Sequence, residues 1–319
     1  MGALLLILFF LIRLTGIDPI ILMIGDSPSQ ELYERTKKEM GFDKPPLVQF
    51  GQYVKHTVTG DLGTSFITKQ PVLKDLARVI PATIELATLA FLLSFIIGIP
   101  LGLIAAFYKN SIFDKGIRIF FTLSYATPTF ALALLSLYFF YFKFDLFPGS
   151  GRLSFWHDDF AFEQAHSQFL LFEALVHKHY DIVLDLLHHM LLPASILALV
   201  NGAYIGKMLR VFLLQELAKT YILSLRMRGF SKWKIAIHAL RNCRFSLLNV
   251  IILCYGHLLE GSVITETIFS WPGLGLYLVS ALKALDINAT LGSTMVIGML
   301  YIILNKTTDY FLKQQKHSA

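Results

Sequence analysis

Cysteine and charge are both scarce in this chain. Its 319 residues include only two cysteines, Cys243 and Cys254, eleven positions apart in one apolar stretch, so neither a disulfide framework nor a thiolate metal site is indicated. Charged residues make up 16% of the chain and hydrophobic residues 55%, with a mean hydropathy of +0.59. An ordinary soluble domain carries about a quarter charged residues, so a membrane protein is the leading class. Catalytic signatures are missing too. No G-x-x-x-x-G-K-[ST] phosphate loop occurs, so any ATP must be handled by another polypeptide. The absence of H-E-x-x-H and G-x-S-x-G argues against a membrane-embedded hydrolase. The net charge of +6 raises nucleic acid as a partner, but the basic excess is confined to certain loops, which is the mark of membrane orientation.

What is present is a series of apolar runs. A spanning helix needs about 20 mainly apolar residues, and residues 81–108, 117–142, 190–214, 245–264 and 288–312 meet or approach that. Residues 2–12, GALLLILFFLI, give about 16 Å of helix, roughly half of a hydrocarbon core. They lack a basic leader and a small-residue cleavage site, so residues 1–14 are read as a shortened first span rather than a signal peptide. The expectation is an all-α polytopic membrane protein of about six spans.

Orientation comes from the basic residues, which cytoplasmic loops retain. Residues 207–244 hold nine (Lys207, Arg210, Lys219, Arg226, Arg228, Lys232, Lys234, Arg241 and Arg244) against the single acid Glu216. That loop is assigned to the cytoplasm. Lys109, Lys115 and Arg118, and the tail with Lys306, Lys313 and Lys316, fall on the same side by alternation. Segment 143–187 has three basic residues against seven acids, and 260–286 has only Lys283 against Glu260, Glu266 and Asp286, so both belong outside. Both termini then face the cytoplasm.

The basic loop reads as helix, sharp turn, helix. Good helix formers run to Arg228, Gly229 suits a left-handed helix end, and Ser231 is a plausible N-cap for the second helix. On physics alone, an amphipathic hairpin resting on anionic lipid is an equal reading. Tyr221, Arg226, Gly229, Ser231, His238, Leu240, Arg241 and Asn242 are, however, spaced as in the EAA loop of ABC importer permeases. GDLGTSF (60–66), PATIELA (81–87), GIPLG (98–102), PGSGRL (148–153) and TETIFSWPGLG (265–275) occur in the family's order. The chain resembles the B-type permease of the dipeptide, oligopeptide and nickel family from about residue 15 to 312. Three departures stand out: Gln215 where glutamate is common, Leu225 where alanine is usual, and Ser246 where a proline normally comes after the RN pair. The last implies a straighter fifth span.

The resemblance implies a type I ABC importer permease in the cell inner membrane, forming half of a channel. Its implied partners are a homologous C-type permease, two ABC ATPase subunits that bind the ATP and magnesium, an extracytoplasmic substrate-binding protein and membrane lipid. Neither a cofactor in this chain nor nucleic acid is expected. Residues 15–80 would be an external scoop-like subdomain in which Ser29 caps a first helix. Residues 81–312 would be the membrane domain, with an external insert at 143–187 and the coupling loop at 207–244, and 313–319 a cytoplasmic tail. In the coupling loop, Tyr221 and Phe230 would supply apolar contact, and Arg226 and Arg228 would meet acidic or carbonyl groups of the ATPase; the matched Gly229, Ser231, His238, Arg241 and Asn242 complete it.

Two further sites are expected. Glu85 is an acid well inside an apolar segment, and a structural partner is as plausible for it as a cargo contact. In TETIFSWPGLG, which includes Glu266, Pro272 would stop a helix, Gly273 and Gly275 would reverse the backbone, and Trp271 would be a lipid anchor or a gate at the outer mouth. Six of ten histidines (His157, His166, His177, His179, His188 and His189) lie in the external stretch, which keeps nickel or another metallophore or opine cargo as the alternative to peptide. In length that insert resembles the one in peptide members of the family, a resemblance that implies peptide, and no metal site is assigned. An unrelated polytopic membrane protein stands furthest back.

Overall fold

In a computed structural model, residues 29–39, 41, 43–157 and 167–318 are described, together with positions 2, 6, 7, 9, 10, 20 and 21. Helices dominate, and among the described residues the only β pairing is an isolated bridge between Thr64 and Pro71. Among the described residues four helices are long and apolar enough to cross a membrane, and a bent pair adds a fifth candidate. Most of the expected first span lies outside the described residues.

The chain divides into two compact units, Met1–Ala82 with Pro272–Ile302, and Thr83–Trp271 with Ile303–Ala319. In the first unit α1 (Gln30–Glu39) begins at Ser29, whose hydroxyl accepts the Leu32 amide at 3.3 Å, and α2 (Pro46–Val58) has a proline-led start. Leu62, Val72, Leu76, Leu274, Ala281, Ile287 and Leu291 form the core of this unit. The GDLGTSF loop is fixed by Asp286, which is fully buried and accepts the Ser65 hydroxyl at 2.6 Å and the Phe66 amide at 2.5 Å. The same carboxylate accepts the Ala289 amide at 3.0 Å, so it also caps the helix that begins there.

The second unit is organised by three long helices: α3 (Val72–Phe107, entering this unit at Thr83), α7 (Tyr180–Leu217) and α9 (Lys232–Ile268). Each outruns the apolar stretch that marks it in the sequence. Between α3 and α7 come α4 (Ile112–Ala126), α5 (Thr129–Ser136), a π-helical turn (Leu137–Lys143) and α6 (Leu170–Val176). The stretch 117–142, read as one span, is broken: α4 and α5 with its π turn meet at 98°. The cause is local, since Pro128 disfavours helical backbone at Thr127, which adopts an extended ψ of 127°.

Glycine sets how α3 and α7 approach. A Cβ at Gly98 would lie 2.5 Å from the Gly202 carbonyl oxygen, and one at Gly102 would lie 2.7 Å from that of Gly206. Each pair is spaced by four residues, so both helices present a bare stripe and their backbones touch, the close packing on which helices in lipid depend. Ile205, Leu209 and Leu213 of α7 then pack with Ala239, Cys243 and Leu247 of α9.

Candidate functional site

The basic loop is built as helix, turn, helix. Its first helix is α8 (Thr220–Met227), anchored by Ile222, which is 1% exposed. At its end Gly229 has φ of +73°, its amide donates to the Arg226 carbonyl at 3.0 Å, and the Phe230 amide donates to Leu225 at 3.1 Å. This is a Schellman closure, which requires left-handed backbone at the glycine. Ser231 then caps α9, its hydroxyl accepting the Lys234 amide at 3.4 Å. The second helix of the hairpin is not a separate lever. It is the start of α9, running unbroken into the apolar span because Ser246 leaves no proline to interrupt it.

Anchoring falls to residues beside those the motif named. Gln215 is exposed, while its neighbour Glu216 is buried and accepts from Lys219 Nζ at 2.6 Å and the Tyr221 hydroxyl at 3.1 Å. Burial, and the Glu216 carboxylate beside it, push the Tyr221 phenol above its ordinary range, against an opposing hydrogen bond from the Asn242 side chain. Tyr221 therefore ties α8 to both α7 and α9. Charge counting missed a second anchor: Asp114, fully buried at the start of α4, receives Arg210 Nε at 2.7 Å and Nη2 at 2.9 Å. That bidentate pair fixes the short loop after α3 to the base of α7. Arg226 and Arg228 remain exposed, as do His238, Arg241 and Asn242, and the Phe230 ring meets His238 edge-on at 6.1 Å. A cavity of about 670 Å³ opens beside the turn, lined in part by Lys109, Arg226, Phe230 and Lys232.

At the other end of the unit three of the quoted motifs meet. From PATIELA, Glu85 pairs at 2.5 Å with Arg152 of PGSGRL and accepts the Leu171 amide at 2.9 Å. Arg152 also donates to the Gln168 carbonyl at 2.9 Å and stacks its guanidinium 5.7 Å from the Trp271 ring. Thr83 donates to Glu266 at 2.7 Å, and the Gly151 amide donates to the Phe269 carbonyl at 3.0 Å. Glu85 thus has a structural partner. Trp271 has no exposed surface, so it is not a lipid anchor; it forms the floor of this polar cluster.

The turn after α9 differs from the expectation. The helix ends at Ile268, before Pro272, and the left-handed residue is Ser270 with φ of +49°, closed by the Trp271 amide on the Glu266 carbonyl at 2.9 Å. Gly273 is extended at φ −105° and ψ −175° and starts α10 (Leu274–Lys283), while Gly275 lies buried in that helix's first turn. Neither glycine reverses the chain. The described external histidines fall into separate groups: His157 and His189 contact Asp185, His188 faces the Leu146 carbonyl, and His177 stacks on His179, while His166 lies outside the described residues. Among the described residues no three potential ligands converge on a metal position.

Long apolar helices joined along bare glycine faces, with a helical hairpin standing off their polar end, define a multi-pass membrane protein of the permease type. Residues 98–316 match the family described as binding-protein-dependent transport system inner membrane component. The chain is 37% identical over 305 residues to a probable D,D-dipeptide transport system permease of Escherichia coli K12, covering 95% of this chain and 88% of the relative. It is 33% identical over 306 residues to a di/tripeptide transport system permease of Pseudomonas aeruginosa UCBPP-PA14, covering 95% and 90%. With a dipeptide transport system permease of Escherichia coli K12 it shares 32% over 309 residues, covering 95% and 90%. The chain belongs to this family of inner membrane transport components. It is accordingly a transport subunit rather than an enzyme, and works with a substrate-binding protein and an ATPase carried on other chains.

Proposed function

We propose that this chain is one half of the membrane pathway of an ATP-driven importer for di- and oligopeptides. The observation that carries the reading is the Gly229 turn, which presents Arg226, Arg228 and Phe230 at the end of a short helix anchored by Tyr221 and Glu216 to two long helices. A handle so fixed passes a push from below to α7 and α9 as a rigid movement. The names of the three relatives support peptide as cargo over nickel.

In this reading α8 and the turn dock in a groove of one of two ABC ATPase subunits, which hold the ATP and magnesium. A homologous C-type permease completes the channel, and residues 15–80 meet the loaded binding protein outside. Both termini face the cytoplasm, in keeping with the basic residues of 207–244. Glu85 supports the outer mouth through Arg152, beside Glu266 and Trp271, with Pro272, Gly273 and Gly275 leading on from it. The test is uptake by cells lacking this gene, with and without a plasmid copy. Restored entry of a labelled dipeptide with unchanged nickel supports the reading, and restored nickel with unchanged dipeptide overturns it.

A further inference from the structure

The outward stripe of α9 is apolar at Leu253 and Ile264, yet between them stand His257 and Glu260. Their side chains are 65% and 55% exposed, with Nδ1 and Oε2 3.6 Å apart. His257 lies eleven residues before the end of α9 at Ile268, about 16 Å along the axis, and Glu260 about 12 Å. Measured from a helix end at the outer surface, Glu260 falls within the outer half of a ~30 Å hydrocarbon core and His257 falls close to its midplane. Ionisable groups at that depth face water or protein rather than lipid.

A second feature adjoins them. A cavity of about 190 Å³ is lined in part by Tyr125, Thr129, Asn201, Tyr204 and His257, with the aliphatic Leu197 and Val200 beside them. Tyr125 and Thr129 flank the 98° break between α4 and α5, and the Tyr125 and Tyr204 rings stack at 5.9 Å. Irregular backbone at membrane depth is tolerated where it lines a water-filled cavity or is covered by protein. Here it borders a recess of mixed polar and apolar lining that includes an imidazole, with a carboxylate next to that imidazole. The volume decides what fits. Pockets that enclose a whole small ligand run to roughly 300–1,000 Å³, so this one takes a single end or side chain, leaving the rest of the cargo towards the second half of the channel.

We infer that the recess at the α4–α5 break, with His257 in its lining and Glu260 beside His257, is the part of the wall that touches a passing peptide. Glu260 receives the cationic amino terminus, and the paired tyrosines take an adjacent side chain. This rests on the peptide-permease reading, and its test separates the two.

The complete transporter, with partner permease, ATPases and loaded binding protein, carries Cys243→Ala and Cys254→Ala. Once this parent is shown to take up labelled dipeptide, single cysteines replace Glu260, His257 or Ile96, the last being 69% exposed among apolar neighbours on α3. A charged, membrane-impermeant thiol reagent labels Glu260→Cys and His257→Cys at least about tenfold faster than Ile96→Cys, and turnover with dipeptide slows that labelling. Equal labelling at all three sites overturns the inference, as does labelling that dipeptide leaves unchanged, which assigns the pair to the contact between permease subunits. Independently, Glu260→Gln lowers dipeptide uptake at saturating binding protein by about tenfold, the scale of one lost charge-assisted contact, while ATP hydrolysis stimulated by the binding protein persists. Parallel loss of both activities marks a structural role and overturns the inference. An unsubstituted complete transporter that takes up no dipeptide refutes the peptide reading itself.

Discussion

Replacing Arg152 with methionine isolates the cost of an unpaired charge at the outer end of the second unit. Arg152 and Glu85 are 7% and 9% exposed, so neither can turn to water. With the guanidinium gone, the Glu85 carboxylate keeps the Leu171 amide at 2.9 Å but has no counter-charge. Removing one member of a buried pair costs about 3–5 kcal/mol, whereas replacing both by apolar groups of similar volume is often near neutral. The double variant Glu85→Leu with Arg152→Met should therefore recover about 2 kcal/mol or more of the loss. It will not recover all of it, because the bond to Gln168 and the stacking on Trp271 are also lost, each worth about 1 kcal/mol. The assay is the fraction remaining folded after a temperature ramp in nanodiscs, read for wild type, both single variants and the double. An Arg152→Met protein within about 1 kcal/mol of wild type, or single losses that simply add in the double, would refute the claim that Glu85 is held by this pair.

The same geometry sets the outcome of other substitutions. At Gly229 a Cβ meets nothing within 4 Å, so substitution acts through backbone conformation alone; activity in coupled transport should fall in the order glycine, asparagine, alanine, valine, with about 1–2 kcal/mol lost at alanine. In the glycine stripe, Gly206→Ala drives a methyl to 2.4 Å from the Phe121 ring, so it should abolish folded protein in membranes as judged by detergent gel filtration, while Gly116→Ala, where nothing lies within 4 Å, should leave the yield unchanged. Tyr221→Phe removes the hydroxyl shared by Glu216 and Asn242 and should lower uptake while leaving membrane insertion intact, whereas Asp114→Asn should cost about 3 kcal/mol by stranding Arg210.

Much of the membrane architecture is legible in the sequence because hydropathy runs and turn chemistry are local signals. Gly229 and Ser231 can be placed in a turn from their neighbours alone, and both sit there. What stays hidden depends on residues far apart in the chain. Arg210 counts as one more cytoplasmic charge until Asp114, 96 positions away, is seen beneath it. Glu260 reads as part of an outer loop and His257 passes unnoticed, because an apolar window averages away two polar groups on one face. GIPLG is a weak fragment by itself; its meaning needs Gly202 and Gly206 on another helix. The outer turn misleads for a different reason: proline and glycine are the usual stop signals, yet Ser270 accepts the left-handed strain before either is reached. Trp271, which its residue type places at the lipid boundary, is buried under Arg152.

The central claim is that α8 is a cytoplasmic handle for an ATPase, and a cysteine in place of the exposed Arg228 tests this most directly. In membrane vesicles an impermeant thiol reagent should label Arg228→Cys only when the cytoplasmic face is turned outward, and the assembled ATPase should protect it. Labelling from the external face, or labelling that the assembled ATPase leaves unchanged, would contradict the claim.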